Sequence, residues 1–72
     1  MNTITRIDAF AEFAASTLAE AEENGMTISL IEGFKIEAIE VIGEASAIHT
    51  EIVPAVDIYK NTMVRLAEIA QR

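Results

Sequence analysis

His49 is the side chain of this sequence best suited to acid–base chemistry, since histidine is the most frequent proton-transfer residue in enzymes, and the chain has only one. A catalytic histidine needs an orienting group and a reacting partner within hydrogen-bond reach. The nearby candidates are Glu44, Thr50 and Glu51. Glu44 lies about 140° around a helix from His49, and Thr50 has no supporting residue. We therefore predict no catalytic residue. We expect the His49 side chain to bond to backbone carbonyls at a helix end or to lie partly buried beside Ile52.

Four glutamates form a second group that could do chemistry, named here the acidic ridge. Carboxylates three or four residues apart on a helix lie about 5–6 Å from each other, so they can share a cation or face a basic partner. A carboxylate metal centre in a helical bundle also uses Glu-x-x-His motifs, and the sequence has none. We therefore predict no metal site and interpret the ridge as a solvated face. Its members are Glu37, Glu40, Glu44 and Glu51.

Other cofactor-binding patterns are absent from the sequence. It has no glycine-rich phosphate loop, and its bases Lys35, Lys60 and Arg65 are too dispersed for a basic patch. Tyr59 and Met63 are one helical turn apart, a spacing far more typical of a core than of a cofactor site. We expect no cofactor and a protein that is not an enzyme.

Helices must position these side chains, because apolar residues recur at steps of three and four along the whole chain. The pattern predicts an all-α fold, a small bundle of three helices at 5–24, 28–49 and 53–71 in one domain, 1–72. Thr5 and Asp8 form a plausible N-cap of the first helix. The predicted core face comprises Ile7, Phe10, Ala14, Leu18, Ala21, Ile31, Phe34, Ala38, Val41, Ala45, Ile48, Ile52, Ala55, Tyr59, Thr62, Leu66 and Ile69.

The boundaries of the second helix have alternatives. Either Thr27 or Ser29 could be its N-cap, the latter with Glu32 as capping-box partner. Its apolar phase continues through Pro54, which allows one kinked helix of roughly 43 residues with Pro54 on the outer face. We favour a break near 49–53, because three helices of similar length cover one another and proline is tolerated in a first turn.

A second apolar stripe runs along the predicted outer side of helix 2. Ile36, Ile39, Gly43 and Ser46 follow at steps of three and four and are named here the outer stripe. Two isoleucines beside a glycine offer a partner helix apolar area to bury and room to approach. The alternative is a helix wedged between two neighbours of its own chain. We favour an interface, which would also include Val53 and Val64.

Composition limits the possible partners. With 72 residues and no cysteine, the chain has one small core without disulfides, so association is the remaining means of stabilisation. Its content of 51% hydrophobic residues is high for so small a domain. A net charge of −7 disfavours nucleic acid and anionic membranes as partners. No apolar run is long enough to cross a bilayer, so we expect a cytoplasmic protein, or one in a particle assembled there.

These observations predict a non-enzymatic protein that homo-oligomerises through apolar helix faces with coiled-coil-like packing. Its expected role is scaffolding, assembly or adaptor binding, as in bacterial or phage accessory proteins and virion components. Its partners would be further copies of itself, as a dimer or small oligomer, and another protein. The alternative is an acidic inhibitor whose ridge mimics nucleic acid and occupies the basic cleft of a DNA- or RNA-binding protein.

Overall fold

The computed structural model describes residues 5–47 and 49–72, apart from the side chain of His49. Within these residues the chain forms three α-helices and no strand. They are α1 (Arg6–Asn24), α2 (Ile28–Ala45) and α3 (His49–Ala70). Each helix contacts both of the others. The predicted all-α bundle is confirmed.

Helix α1 begins and ends where its local sequence indicates. The Thr5 hydroxyl oxygen accepts a hydrogen bond from the Asp8 backbone N–H at 3.0 Å, so it satisfies one of the donors left free at a helix start. At the other end Gly25 has φ +85°, a conformation that glycine adopts without a steric penalty. Its N–H donates to the Ala21 carbonyl at 2.9 Å. Both predicted ends of α1 are thus confirmed.

Thr27, and not Ser29, is the N-cap of α2. The Thr27 hydroxyl oxygen accepts from the Leu30 N–H at 3.1 Å, and its backbone is extended, as a cap residue requires. Ser29 lies inside the first turn of the helix. The earlier of the two predicted caps is therefore used.

The connection between α2 and α3 differs from the prediction. Helix α2 ends at Ala45 and α3 begins at His49, each four residues earlier than predicted. The interpretation as one long kinked helix is wrong, since these are separate helices. Pro54 is the sixth residue of α3 and not part of its first turn. It therefore leaves the Thr50 carbonyl without its usual helical donor.

The core is built from the faces that the apolar spacing indicates. Ile7, Leu18, Ile52 and Tyr59 are partly buried against it. Ile48 lies outside the described residues. The prediction of the core face is confirmed for the following buried positions: Phe10, Ala14, Ala21, Phe34, Ala38, Val41, Ala45, Ala55, Thr62, Leu66 and Ile69.

Phe34 joins the three helices at the centre of the core. It has no exposed surface, and its ring stacks on Phe10 at 5.7 Å, Phe13 at 6.2 Å and Tyr59 at 6.0 Å between centroids. The rings are nearly parallel, with interplanar angles of 11°, 9° and 7°. Such pairs contribute about 0.5–1.5 kcal/mol each beyond the area they bury.

Ion pairs at both ends of the bundle show the direction of the helices. Arg6, the first residue of α1, lies 3.8 Å from Glu51 in the first turn of α3. Near the other end of α1, Glu22 pairs at 3.0 Å with Arg72, which follows α3. Helices α1 and α3 therefore run in the same direction, and α2 returns between them through short connections.

Candidate interaction surface

The outer stripe of α2 lies on the side of that helix away from the core. Ile36 is 61% exposed and Ile39 is 71% exposed, values that are high for large apolar side chains. Gly43 and Ser46 are exposed as well. The core-facing residues of α2, among them Phe34, are offset from the stripe around the helix. The structure thus places all four predicted residues on one solvent-facing side.

The carboxyl-terminal half of the outer stripe consists of the small residues Gly43 and Ser46. The hydroxyl and the N–H of Ser46 are both hydrogen-bonded within the chain. The Ser46 hydroxyl donates to the Gly43 carbonyl at 2.7 Å, and the Ser46 N–H donates to the Ile42 carbonyl at 2.9 Å. Apart from its chain neighbours and the backbone of its own helix, a Cβ added at Gly43 would meet no atom within 4 Å. This glycine is therefore not required for packing inside the chain.

A groove of about 500 Å³ between α2 and α3 adjoins the outer stripe. Ile39 and Gly43 belong to both, so the two features form one continuous surface. Ile42, Lys35 and Tyr59 were not assigned to the interface from the sequence, although the spacing of Ile42 from Ile39 is helical. The groove is lined by Lys35, Ala38, Ile39, Ile42, Gly43 and Tyr59.

Val53 and Val64 are exposed on α3, as the sequence predicted for an interface. Val53 is 61% exposed and Val64 is 58% exposed. They are eleven positions apart, which places them on one side of α3. Neither is among the residues that line the groove. Their place in a common interface with the outer stripe therefore stays a prediction.

The acidic ridge is divided between two helices. Glu40 and Glu44 are exposed on α2, whereas Glu37 on the same helix is partly buried. Glu51 lies in α3 and pairs with Arg6 of α1. The acidic ridge therefore has three of its carboxylates on α2, of which two are exposed.

A second groove, of about 300 Å³, lies between α1 and α2. Phe13, Leu30 and Gly33 line its apolar part. Thr17, which also lines it, is buried and was not predicted for the core, although it follows Ala14 at helical spacing. Its hydroxyl donates to the Phe13 carbonyl at 2.9 Å, so it is engaged within its own helix.

The residues with catalytic or metal-binding potential remain dispersed. The side chain of His49, the predicted helix-terminal histidine, lies outside the described part of the structure, although its backbone begins α3. Among the described residues, no three metal-binding side chains come together.

Across the helices described here, none combines the length and apolar character needed to cross a membrane. Comparison of the chain with protein-family models, with curated proteins and with solved structures finds no match.

Proposed function

We propose that this protein is a non-enzymatic assembly protein that forms a homodimer or small homo-oligomer through the outer stripe of α2. The observation that carries the proposal is the exposure of Ile36 and Ile39 beside Gly43 and the groove between α2 and α3. A scaffold or adaptor role, with another protein as further partner and a cytoplasmic location, belongs to the same proposal.

The energy available from the isoleucines is consistent with a weak assembly. Full burial of an isoleucine contributes about 1.5–3 kcal/mol, so four side chains that start about two-thirds exposed contribute about 4–8 kcal/mol in a dimer. Association costs an estimated 4–15 kcal/mol in lost freedom. The free energy gained by burying the isoleucines is thus similar in size to the cost of association. Stable association therefore also needs apolar surface to be buried in the adjoining groove. We expect an assembly that depends on protein concentration.

Charge mimicry of nucleic acid is the weaker candidate. It would use the acidic ridge, but Glu37 is partly buried and Glu51 is paired with Arg6. An acidic helix face is also typical of a solvated surface. The exposed isoleucines have no role in a contact made by carboxylates, whereas self-association uses them directly.

The experiment that tests self-association is the variant Ile39→Asp, measured by light scattering during size exclusion. The average mass of the wild-type chain should rise above the monomer mass as its concentration increases from about 10 to about 500 µM. Dissociation constants in this range correspond to binding free energies of about −7 to −4.5 kcal/mol. Ile39→Asp should be monomeric over this range, because it would place a carboxylate in an apolar contact. Its helicity by circular dichroism should be unchanged, since the side chain is 71% exposed.

Ile28→Asp is the matched control for this variant. Ile28 is 75% exposed on the same helix, and it lies about 16 Å along the axis from Ile39. Ile28 lies only about 20° around α2 from Ile39 and so on the same face; an assembly that is retained confines the contact to the outer stripe. A wild-type chain that is monomeric at every concentration removes the proposal, and an Ile39→Asp chain that stays assembled places the interface away from the outer stripe. Equal loss of assembly in both variants extends the interface along the same face to the start of α2.

A further inference from the structure

The groove of about 300 Å³ between α1 and α2, named here the α1–α2 groove, combines an exposed aromatic ring with a carboxylate. Phe13 and Glu20 both line it. They are seven positions apart on α1, so they lie within about 20° of each other around the helix and about 10 Å apart along it. None of the residues that line this groove belongs to the outer stripe.

Phe13 lies at the outer end of the aromatic cluster in the core. Its ring stacks on Phe34 at 6.2 Å between centroids, with 9° between the ring planes. Phe13 is nevertheless 39% exposed, whereas Phe34 has no exposed surface. A planar aromatic ring bound in the groove would extend this stack, and aromatic pairs gain stability beyond the area that they bury.

Glu20 supplies a negative charge to the same groove. Its side chain is exposed, and none of the ion pairs among the described residues uses it. The net charge of −7 adds a potential around the chain that attracts cations. Both charges therefore favour a cationic ligand in this groove and disfavour an anionic one.

We propose that the α1–α2 groove binds a small arylalkyl ammonium ion, with its ring on Phe13 and its ammonium group beside Glu20. An ion pair needs about 4 Å or less between nitrogen and oxygen, which leaves about 6 Å between the ring and the ammonium group. A saturated chain of about two or three carbons spans this distance. The site does not depend on the proposed self-association.

The size of the α1–α2 groove favours a small molecule over a peptide segment. Its volume of about 300 Å³ is at the lower end of the range for ligand sites. Such sites are mostly apolar and have a few polar groups that orient the ligand. One aromatic ring with a short chain suits this volume and this distribution of polar groups.

The α2 side of the groove offers open space and a hydroxyl group. Apart from its chain neighbours and the backbone of its own helix, a Cβ added at Gly33 would meet no atom within 4 Å. The ring of the ligand can therefore approach the backbone of α2. The exposed hydroxyls of Ser16 and Ser29 also line the groove. They are available as acceptors for an ammonium group, which has three N–H donors.

The start of α2 opposes the binding of a cation, because the free N–H groups at a helix start carry a partial positive charge. One of these groups, the Leu30 N–H, already donates to Thr27. Glu20 lies near the end of α1, where the free carbonyls carry the opposite partial charge. The two helix ends thus act against each other, and the full charge of Glu20 decides the sign.

Phenethylamine is a direct probe of the site, because its amine is protonated at pH 7, as that of lysine is. A titration followed by NMR spectra of the backbone amides should show saturable changes centred on Phe13, Leu30 and Gly33. The expected dissociation constant is about 1 mM, typical of so small a ligand. Changes that do not saturate, or that centre on the groove between α2 and α3, overturn the proposal.

Two related compounds separate the contributions of the ring and of the charge. Phenethyl alcohol lacks the charge and should bind about three- to fivefold more weakly, the range of an exposed ion pair. Ethylamine lacks the ring and should show no saturable binding up to about 20 mM. Equal affinity for phenethyl alcohol and phenethylamine contradicts the role of Glu20, and equal affinity for ethylamine contradicts that of Phe13.

Glu20→Gln should weaken phenethylamine binding about three- to fivefold. Glu23→Gln is the matched control, because both residues are exposed on α1 and both substitutions remove one negative charge, but Glu23 does not line the groove. The control should leave the dissociation constant unchanged. An equal loss of affinity in both variants would show that the net charge alone attracts the ligand, and it would overturn the site.

Gly33→Leu should abolish saturable binding, because the leucine side chain would occupy the space for the ring of the ligand. Gly43→Leu is the matched control, since it makes the same change on the same helix, also in open space, but in the other groove. Circular dichroism should show that both variants keep their helicity, because leucine is a better helix former than glycine. Phenethylamine affinity that is equal in the two variants places the ligand outside the α1–α2 groove.

Discussion

Single side chains define both the start of a helix and the centre of the core. Phe34 contacts rings from both other helices, so one buried residue couples the packing of all three. Thr27 acts locally, through one hydrogen bond to the Leu30 N–H. The two kinds of contact respond differently to substitution, because a cap affects one helix end and a buried ring affects the whole bundle.

Thr27→Ala should lower the free energy of unfolding by about 0.5–2 kcal/mol, since the Leu30 N–H would lose its side-chain acceptor. Urea denaturation followed by circular dichroism measures this change. Ser29→Ala is the control, because Ser29 lies inside the first turn and is not the cap. A larger loss for Ser29→Ala than for Thr27→Ala would contradict the assignment of the cap.

At the scale of elements, the position of the turn between α2 and α3 is the main difference from prediction. The segment after Ala45 has no glycine or proline that would mark a helix end, whereas Pro54 lies further on and is the usual marker. Ala45 and Ala55, on either side of the turn, are fully buried. Both side chains belong to the hydrophobic core, so the turn lies where the core-facing sides of α2 and α3 can be buried together.

Pro54→Ala should raise the free energy of unfolding by about 2–2.6 kcal/mol. A proline inside a helix costs about 3 kcal/mol through its missing N–H and its ring, and its rigidity in the unfolded chain returns about 0.4–1 kcal/mol. The alanine N–H would donate to the Thr50 carbonyl. Thermal and urea denaturation should both show the gain.

Val53→Ala is the control for the proline variant, because it shortens an exposed neighbour without changing the backbone. Its effect should stay within about 0.5 kcal/mol. A Pro54→Ala chain that is less stable than the wild type would show that the partly buried ring packs well enough to offset the missing hydrogen bond.

At the scale of the whole molecule, net charge opposes the proposed assembly. Each copy carries −7, so two copies repel each other at low ionic strength. The ion pairs of Arg6 with Glu51 and of Arg72 with Glu22 place two of the bases at the ends of the bundle. The outer stripe itself lacks charged residues.

Self-association should therefore tighten several-fold when NaCl rises from about 0.05 to about 0.5 M, because salt screens the repulsion and leaves apolar contacts in place. Sedimentation equilibrium at both salt concentrations measures the dissociation constant. A dissociation constant that rises steeply with salt would mean that ion pairs hold the assembly. In a pull-down, a basic partner captured by charge mimicry would be released under the same change.

The local features of this protein were determined by its sequence alone. The Thr5 cap, the stop at Gly25 and the apolar faces of the helices depend on residues three or four apart, so spacing is sufficient to predict them. The exposure of Ile36 and Ile39 was predicted from the same spacing, but a helix wedged between two neighbours was also compatible with it, and the packing of α2 decided between the two.

The tertiary structure decided the features that join distant parts of the chain. The turn after Ala45 depends on how α3 packs back on its neighbours, and the pairing of Glu51 with Arg6 depends on α1 and α3 running in the same direction. The groove that brings Tyr59 beside Gly43 likewise exists only between packed helices. Local spacing carries no information on such contacts, because they connect residues whose separation in sequence exceeds any helical period.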